Sequence, residues 1–191
     1  PPPYRYVLFR ADSIDGQNFT ELATFDGLNT TGYVDSLRNT LDFGHRYRVD
    51  FRSGVNFDLV GSADAASTVY LKTKGVDRAV ELNMTNNTPW LNYRYVILRE
   101  NPTGSGVFDS IAESYTDFYR DTGLVNGEEY CYRVEAYGRY TANDSLPAPL
   151  FNRSQEACAF ARDTIAPCAP LFSLRTVCPD TVYFSWRTPA G

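Results

Sequence analysis

The chain is poor in the residue types from which metal and catalytic sites are usually built. Its 191 residues include one histidine and one methionine. The four cysteines contain no C-x-x-C pair, and no G-x-S-x-G, P-loop or G-x-G-x-x-G motif is present. A zinc ribbon, a histidine-based proton relay and the common nucleotide sites are therefore disfavoured. We predict no catalytic residue, no cofactor and no metal ion.

Lysine is scarce as well, which bears on the partners to expect. Of the 18 basic residues only Lys72 and Lys74 are lysines, and the formal net charge is -5. No run of Lys and Arg marks a surface for nucleic acid or acidic lipid. No apolar stretch approaches the roughly 20 residues that span a bilayer. We expect no nucleic acid partner and no membrane span.

Aromatic residues are abundant, and their distribution favours strands. The chain has 14 Tyr and 12 Phe. Short alternating segments are separated by clusters of Gly, Asn, Asp and Pro, a pattern typical of an all-β sandwich, and helical periodicity is nowhere sustained. The clearest predicted strands are 79–84, 93–99, 108–113, 129–137 and 153–160.

The chain contains an internal repeat. Residues 4–10 (YRYVLFR) return as residues 93–99 (YRYVILR), and residues 41–47 are matched by residues 124–130. The period of about 90 residues suits a small sandwich domain of the immunoglobulin-like kind. Tandem sandwiches usually serve as spacers or binding modules, so the repeat disfavours catalysis.

The repeat predicts three modules. Residues 75–162 form a complete one, residues 1–74 form one that lacks its opening strands, and residues 163–191 supply the opening strands of a third. A fragment of a longer protein explains this arrangement most simply. The alternative is that the terminal strands of one chain complete the first module of another.

Both copies carry the motif Leu-x-x-Gly-x-x-Tyr, which ends at Tyr47 and Tyr130. A tyrosine so placed can fold its hydroxyl back onto the backbone of the preceding loop, so we predict two tyrosine corners. If Tyr130 points inward, Cys131 points outward and can reach Cys158 on a neighbouring last strand. The four cysteines, Cys131, Cys158, Cys168 and Cys178, still allow three pairings.

The tyrosine motif, the Tyr-x-Val strands and the strand with Trp186 resemble fibronectin type III modules. A narrower resemblance rests on residues 130–138, 146–150, 154–158 and 163–170. These are similar to modules upstream of the sorting domain in gliding-motility-associated surface proteins of the Bacteroidota, which are exported by type IX secretion.

This resemblance implies an extracellular, non-enzymatic, adhesin-type spacer whose partners are neighbouring modules and the secretion machinery. The sorting domain itself is not in these residues. The resemblance also implies disulfides between Cys131 and Cys158 and between Cys168 and Cys178, although Cys178 has an alternative partner beyond Gly191.

Two rival functions remain open, along with one modification. Loops 101–106 or 140–150 would bind a surface glycan or protein, or the chain would be an accessory region of a secreted hydrolase.

His45, in a corner turn, is expected to be exposed. Six Asp-Ser/Thr-apolar triplets resemble O-glycosylation sites of that phylum, with acceptors at Ser13, Ser36, Ser110, Ser145, Thr164 and Thr181.

Overall fold

The computed structural model describes residues 3–140, 149–165, 169–177 and 179–187. Within these residues all regular structure is β-strand, in antiparallel sheets, which confirms the predicted all-β class. No helix in the described part of the chain is long and apolar enough to cross a membrane.

The strands fall into three groups. The first sheet consists of β1 (Tyr4–Ala11), β2 (Thr20–Asp26), β3 (Arg46–Ser53), β4 (Asp58–Ser62) and β5 (Ala66–Ser67). The second group forms a sandwich, which is called the second sandwich because it corresponds to the second copy of the repeat. It contains β6 (Tyr70–Val76), β7 (Ala79–Thr85), β8 (Leu91–Glu100), β9 (Phe108–Ser114), β10 (Phe118–Thr122), β11 (Glu129–Arg139), β12 (Leu150–Arg153) and β13 (Ala157–Phe160). The third group is a hairpin of two strands, β14 (Leu171–Val177) and β15 (Thr181–Arg187).

The second sandwich packs a three-stranded sheet against a larger one. Its sheets have the strand orders β10-β7-β6 and β12-β11-β8-β9, and β13 also pairs with β11. Alternate residues of β8 and β11 point into the space between the sheets, where Ile97, Tyr132 and Val134 have no exposed surface. Leu82 on β7 is equally buried and faces them from the other sheet. The fold is therefore an immunoglobulin-like sandwich of the fibronectin type III-like kind.

The first strand of this sandwich begins before the predicted boundary at residue 75. Strand β6 starts at Tyr70 and pairs along its length with β7, and Leu71 is part of the core. Gly75 lies inside this strand, where the Cβ atom of any other residue would collide with the carbonyl oxygen of Phe160. The glycine is needed there because β6 and the end of β13 approach closely.

The predicted last strand, 153–160, is interrupted. It forms two strands, β12 and β13, separated by residues 154–156. The side chain of Gln155 turns back to β6, where its Nε2 donates to the carbonyl of Leu71 at 2.7 Å and its Oε1 accepts from the amide of Leu71 at 3.1 Å. Gln155 thus takes the place of a strand partner and joins the two sheets at their edge.

Candidate functional site

The inner face of the first sheet is an apolar surface that the described residues leave open. Strand pairing puts Tyr6 opposite Phe51 and Leu8 opposite Val49 on one face. Tyr6, Leu8 and Val49, together with the segment around Tyr33, line a groove of about 710 Å³. No second sheet covers this face within the described residues, because the first group of strands forms a single sheet.

The same positions are fully covered in the second sandwich. There Ile97 pairs with Val134, as Leu8 pairs with Val49 in the first sheet. Val134 has 0% of its surface exposed whereas Val49 has 37%. The two sheets therefore present equivalent inner faces, of which one is buried and the other is open.

A hydrogen-bonded triad around a largely buried aspartate recurs at the edge of both inner faces. In the first sheet the Asp35 carboxylate accepts from Nη1 of Arg10 at 2.9 Å and from the hydroxyl of Tyr47 at 3.0 Å. In the second sandwich Asp121 accepts from Arg99 at 2.8 Å and from Tyr132 at 2.9 Å. Each carboxylate has about a tenth of its side chain exposed and is the counter-charge of an arginine, which is the condition for a charge to be retained there.

This triad corrects one prediction. The hydroxyl of Tyr130 accepts a hydrogen bond from the amide of Val125 at 3.1 Å, the contact expected of a tyrosine corner. Tyr47 makes no such contact: it lies opposite Arg10, as Tyr132 lies opposite Arg99, and its hydroxyl goes to Asp35. The tyrosine corner predicted at Tyr47 was wrong because Asp35 offers its hydroxyl a charged acceptor.

The environment of Tyr47 raises the pH at which its hydroxyl loses its proton. Burial and the hydrogen bond to Asp35 raise the pKa of Tyr47 to about 12, above the value of about 10 of an exposed tyrosine. The neutral phenol therefore stabilises the folded sheet below pH 10, and this contribution is lost as the pH rises towards 12. An absorbance titration of tyrosinate should show a component near pH 12 that Tyr47→Phe removes. A wild-type curve that superimposes on that of the variant would contradict the assignment.

The first sheet and the second sandwich are joined by two residues, Thr68 and Val69. The amide of Thr68 donates to the carbonyl of His45 at 2.9 Å, and the amide of Ser67 donates to the carbonyl of Asn87 at 2.8 Å. The amide of Asn87 donates in turn to the hydroxyl of Ser67 at 2.7 Å. The junction thus has hydrogen bonds to the backbone on both sides.

His45 is part of this junction, contrary to its expected exposure. Its backbone pairs with Thr68, and only 5% of its surface is exposed. The Nδ1 atom lies 3.5 Å from a carboxylate oxygen of Asp12. His45 was predicted to be exposed because it follows a glycine in a turn, but that turn packs against the start of the second sandwich.

A polar cleft with one tryptophan lies beside the junction. Its lining includes Asp15 and Asn87, whose side chains meet at 2.8 Å across the two units, and Trp90. The indole NH of Trp90 donates to Oδ1 of Asn92 at 3.1 Å, and the side-chain Nδ2 of Asn92 donates to Oδ1 of Asn86 at 3.0 Å. Amides beside an aromatic ring are groups that can bind a sugar.

The cysteines were predicted in two pairs, one of which is confirmed. Cys131 and Cys158 lie directly opposite each other on β11 and β13 and form a disulfide. Together with Glu156 they form the one close group of potential metal ligands among the described residues, and the disulfide uses both thiols. Cys168 and Cys178 lie outside the described residues, as does the predicted glycosylation acceptor Ser145.

Loss of the disulfide should destabilise the second sandwich. Replacing Cys131 and Cys158 together by serine, with Cys168 and Cys178 also replaced in both proteins compared, should lower the free energy of unfolding by about 2–4 kcal/mol. The cause is the greater freedom of the unfolded chain. Urea denaturation measures the effect, and reductant should shift the midpoint only of the protein that retains Cys131 and Cys158. Equal midpoints for the two oxidised proteins would contradict the prediction.

The other predicted glycosylation acceptors lie on the surface. All five within the described residues are exposed: Ser13, Ser36, Ser110, Thr164 and Thr181. Their modification stays a prediction. Of the predicted binding loops, residues 101–106 close the hairpin between β8 and β9, where Glu100 accepts from the amides of Gly104 at 2.8 Å and Gly106 at 2.6 Å. Most of loop 140–150 lies outside the described residues.

No known protein family model matches the chain, and no curated protein is significantly similar to it. Among solved structures, the FN1-FN3 domains of chicken CNTN1 are similar over 97% of this chain and 66% of that one, with 11% identity and a TM-score of 0.34. The chicken interferon gamma receptor alpha chain is similar over 83% of this chain and 85% of that one, with 11% identity and a TM-score of 0.33. At these scores neither likeness carries an argument, and the fold follows from the strand order above.

Proposed function

We propose that this chain is a non-enzymatic, extracellular segment of a cell-surface protein, in which tandem sandwiches act as a stiff spacer of the adhesin type. The junction is the observation that carries this proposal. A linker of two residues, Thr68 and Val69, with backbone hydrogen bonds on both sides, supports it because little free chain remains between the units. The disulfide fits an oxidising compartment, as outside the cell.

Stiffness at the junction can be tested by small-angle scattering. The wild-type chain should scatter as one elongated particle, and insertion of four glycines between Thr68 and Val69 should broaden its distance distribution. The matched control carries the same insertion between Ser105 and Gly106, in the exposed turn of the second sandwich, and should scatter like the wild type. Wild-type scattering that already requires an ensemble of bent shapes would contradict the spacer.

We propose further that the parent protein is exported by type IX secretion and is linked to gliding or surface adhesion. The motifs shared with the gliding-motility-associated proteins support this proposal. An antibody against residues 70–161 should label intact wild-type cells of the source bacterium and fail to label a strain whose type IX secretion is inactive. Labelling that persists in that strain would exclude this route.

A second candidate function is the binding of a glycan, and the cleft beside the junction favours it. Trp90 supplies an aromatic ring there, and Asn86, Asn87 and Asp15 supply polar groups. On a glycan array, binding by the wild-type chain that Trp90→Ala abolishes and Tyr115→Ala preserves would support this function. Tyr115 is a suitable control because it is exposed on the second sandwich and is not part of the cleft. An array without binding would leave the spacer as the sole proposal.

A further inference from the structure

The disulfide of the second sandwich lies beside a carboxylate. Cys131 and Cys158 are directly opposite each other on β11 and β13, and Glu156 precedes Cys158 by two residues. The two Sγ atoms and one carboxylate oxygen of Glu156 all lie within 4.8 Å of one another. The Oε1 atom of Glu156 is 3.8 Å from Sγ of Cys158. Two sulfur atoms and a carboxylate oxygen are ligands that zinc binds in proteins.

Glu156 is held in this orientation by a neighbouring arginine. Its second oxygen, Oε2, accepts a hydrogen bond from Nη2 of Arg133 at 3.0 Å, and its Oε1 lies on the side of Cys158. The guanidinium of Arg133 lies over the ring of Phe108, 4.1 Å from the ring centre. Hydrogen bonds of this kind orient the side chains that bind metal ions. Arg133 is therefore a positioning residue for the carboxylate.

The two cysteines can bind a metal ion only after reduction, because the disulfide occupies both sulfur atoms. A dithiol reductant supplies two electrons and two protons. The bond between the two Sγ atoms breaks, both become thiols, and the reductant closes its own disulfide. Cys158 is exposed, whereas Cys131 has 7% of its surface exposed. The reductant therefore attacks Cys158, and Cys131 is the leaving group.

The strands that carry the cysteines are held together by more than the disulfide. Backbone pairing of β11 with β13 continues on both sides of the cysteine pair. The hydroxyl of Thr73 on β6 donates to the carbonyl of Cys158 at 2.9 Å. Just after β13, the amide of Ala161 donates to the carbonyl of Glu128 at 3.1 Å. After reduction the two thiols therefore still face each other, with Glu156 beside them.

We propose that reduction converts the disulfide into a binding site for a zinc ion or another divalent ion that prefers sulfur. The thiolates of Cys131 and Cys158 and the carboxylate of Glu156 are three ligands, and water is the fourth. Binding releases the two thiol protons to solvent. A tetrahedral zinc ion with bonds of about 2.3 Å needs the sulfur atoms about 3.8 Å apart. Rotation of one cysteine side chain gives this distance, because the two Cα atoms are 4.0 Å apart.

The charges of the group suit a divalent cation. Two thiolates and one carboxylate leave a single negative charge on the complex, and the guanidinium of Arg133, 3.0 Å from the carboxylate, offsets it. The metal ion connects the same two strands that the disulfide connects. The second sandwich thus keeps a cross-link between β11 and β13 in both redox states, and metal binding contributes to its stability when the disulfide is reduced.

Titration with cadmium ions tests the proposal on the full chain. The reference protein carries Cys168→Ser and Cys178→Ser, and is reduced with a dithiol that is then removed by gel filtration without oxygen. It should bind one cadmium ion with an ultraviolet charge-transfer band of the metal thiolate, and the oxidised protein should show none. Glu156→Gln in this protein should weaken binding at least about tenfold. Glu113→Gln is the matched control, because Glu113 is also paired with an arginine, Arg94 at 3.2 Å, and should leave the affinity unchanged.

A second measurement separates metal binding from misfolding. Near-ultraviolet circular dichroism of the reduced proteins should retain the native signal before metal is added. Zinc ions should then raise the midpoint of urea denaturation of the reduced reference protein and leave that of the oxidised protein unchanged. A reduced protein without the charge-transfer band would overturn the proposal, as would loss of the native signal on reduction. Equal affinity of the reference protein and Glu156→Gln would also overturn it, because the two thiolates would then bind without the carboxylate.

Discussion

Replacing Asp121 with alanine should lower the free energy of unfolding of the second sandwich by about 3–5 kcal/mol, the range for breaking a buried ion pair from one side. The carboxylate is the shared acceptor for Arg99 at 2.8 Å and for the hydroxyl of Tyr132 at 2.9 Å. Without it, the fully buried hydroxyl has no acceptor and the guanidinium has no counter-charge. The loss should fall towards the lower end of the range, because 32% of the Arg99 side chain remains exposed to water.

Urea denaturation followed by near-ultraviolet circular dichroism measures this loss. Asp109→Ala is the matched control, because Asp109 is exposed and its carboxylate accepts one hydrogen bond, from the side-chain Nδ2 of Asn101 at 2.9 Å. It should change the stability by less than about 0.5 kcal/mol. In a Tyr132→Phe background the cost of Asp121→Ala should be smaller, since one of the stranded groups is gone. A loss no larger than that of the control would mean that the triad is not a stabilising unit.

Ile97→Ala is expected to have the second largest effect, a loss of about 2–5 kcal/mol. Ile97 has no exposed surface and lies between the sheets beside Val134 and Leu82. Truncation removes apolar contacts and leaves a cavity that rigid strands on both sides cannot close. The same denaturation experiment measures the change.

Leu91 is the matched control for Ile97, because it lies on the same strand, β8, and is 52% exposed. Leu91→Ala should cost less than about 1 kcal/mol, as surface substitutions usually do. Equal losses for the two variants would show that the face with Ile97 is not the core of the sandwich.

The sequence repeat was sufficient to predict the strands that occur in both copies. Strands β8 and β9 were found because residues 4–10 and 93–99 are nearly identical and similar turns follow. Strand β6 was missed because the predicted module boundary, at residue 75, falls inside it. Strand β10 was also missed, because Tyr119 and Asp121 alone point inward along it and offer little alternation from which to predict a strand. It forms a strand because it pairs with β7.

The open face could be predicted only in part. The equivalence of the two large sheets followed from the repeat, but the triad did not. Aligning Tyr47 with Tyr130 placed the first copy two residues out of register with the structure, where His45 takes the position of Tyr130 and Tyr47 that of Tyr132. A short motif cannot reveal this shift, because the position of the tyrosine depends on Asp35, an acceptor from a distant segment of the chain.

The disulfide also sets how far this chain extends under tension. Cys131 and Cys158 are 27 positions apart, a stretch that would measure about 90 Å when fully extended. If the ends of the chain are pulled apart, the force passes through the disulfide and not through the residues between the two cysteines. Strand β12 and most of β11 lie between them and are therefore not extended. The first sheet has no such bond among the described residues, so all of its strands can be drawn out under the same load.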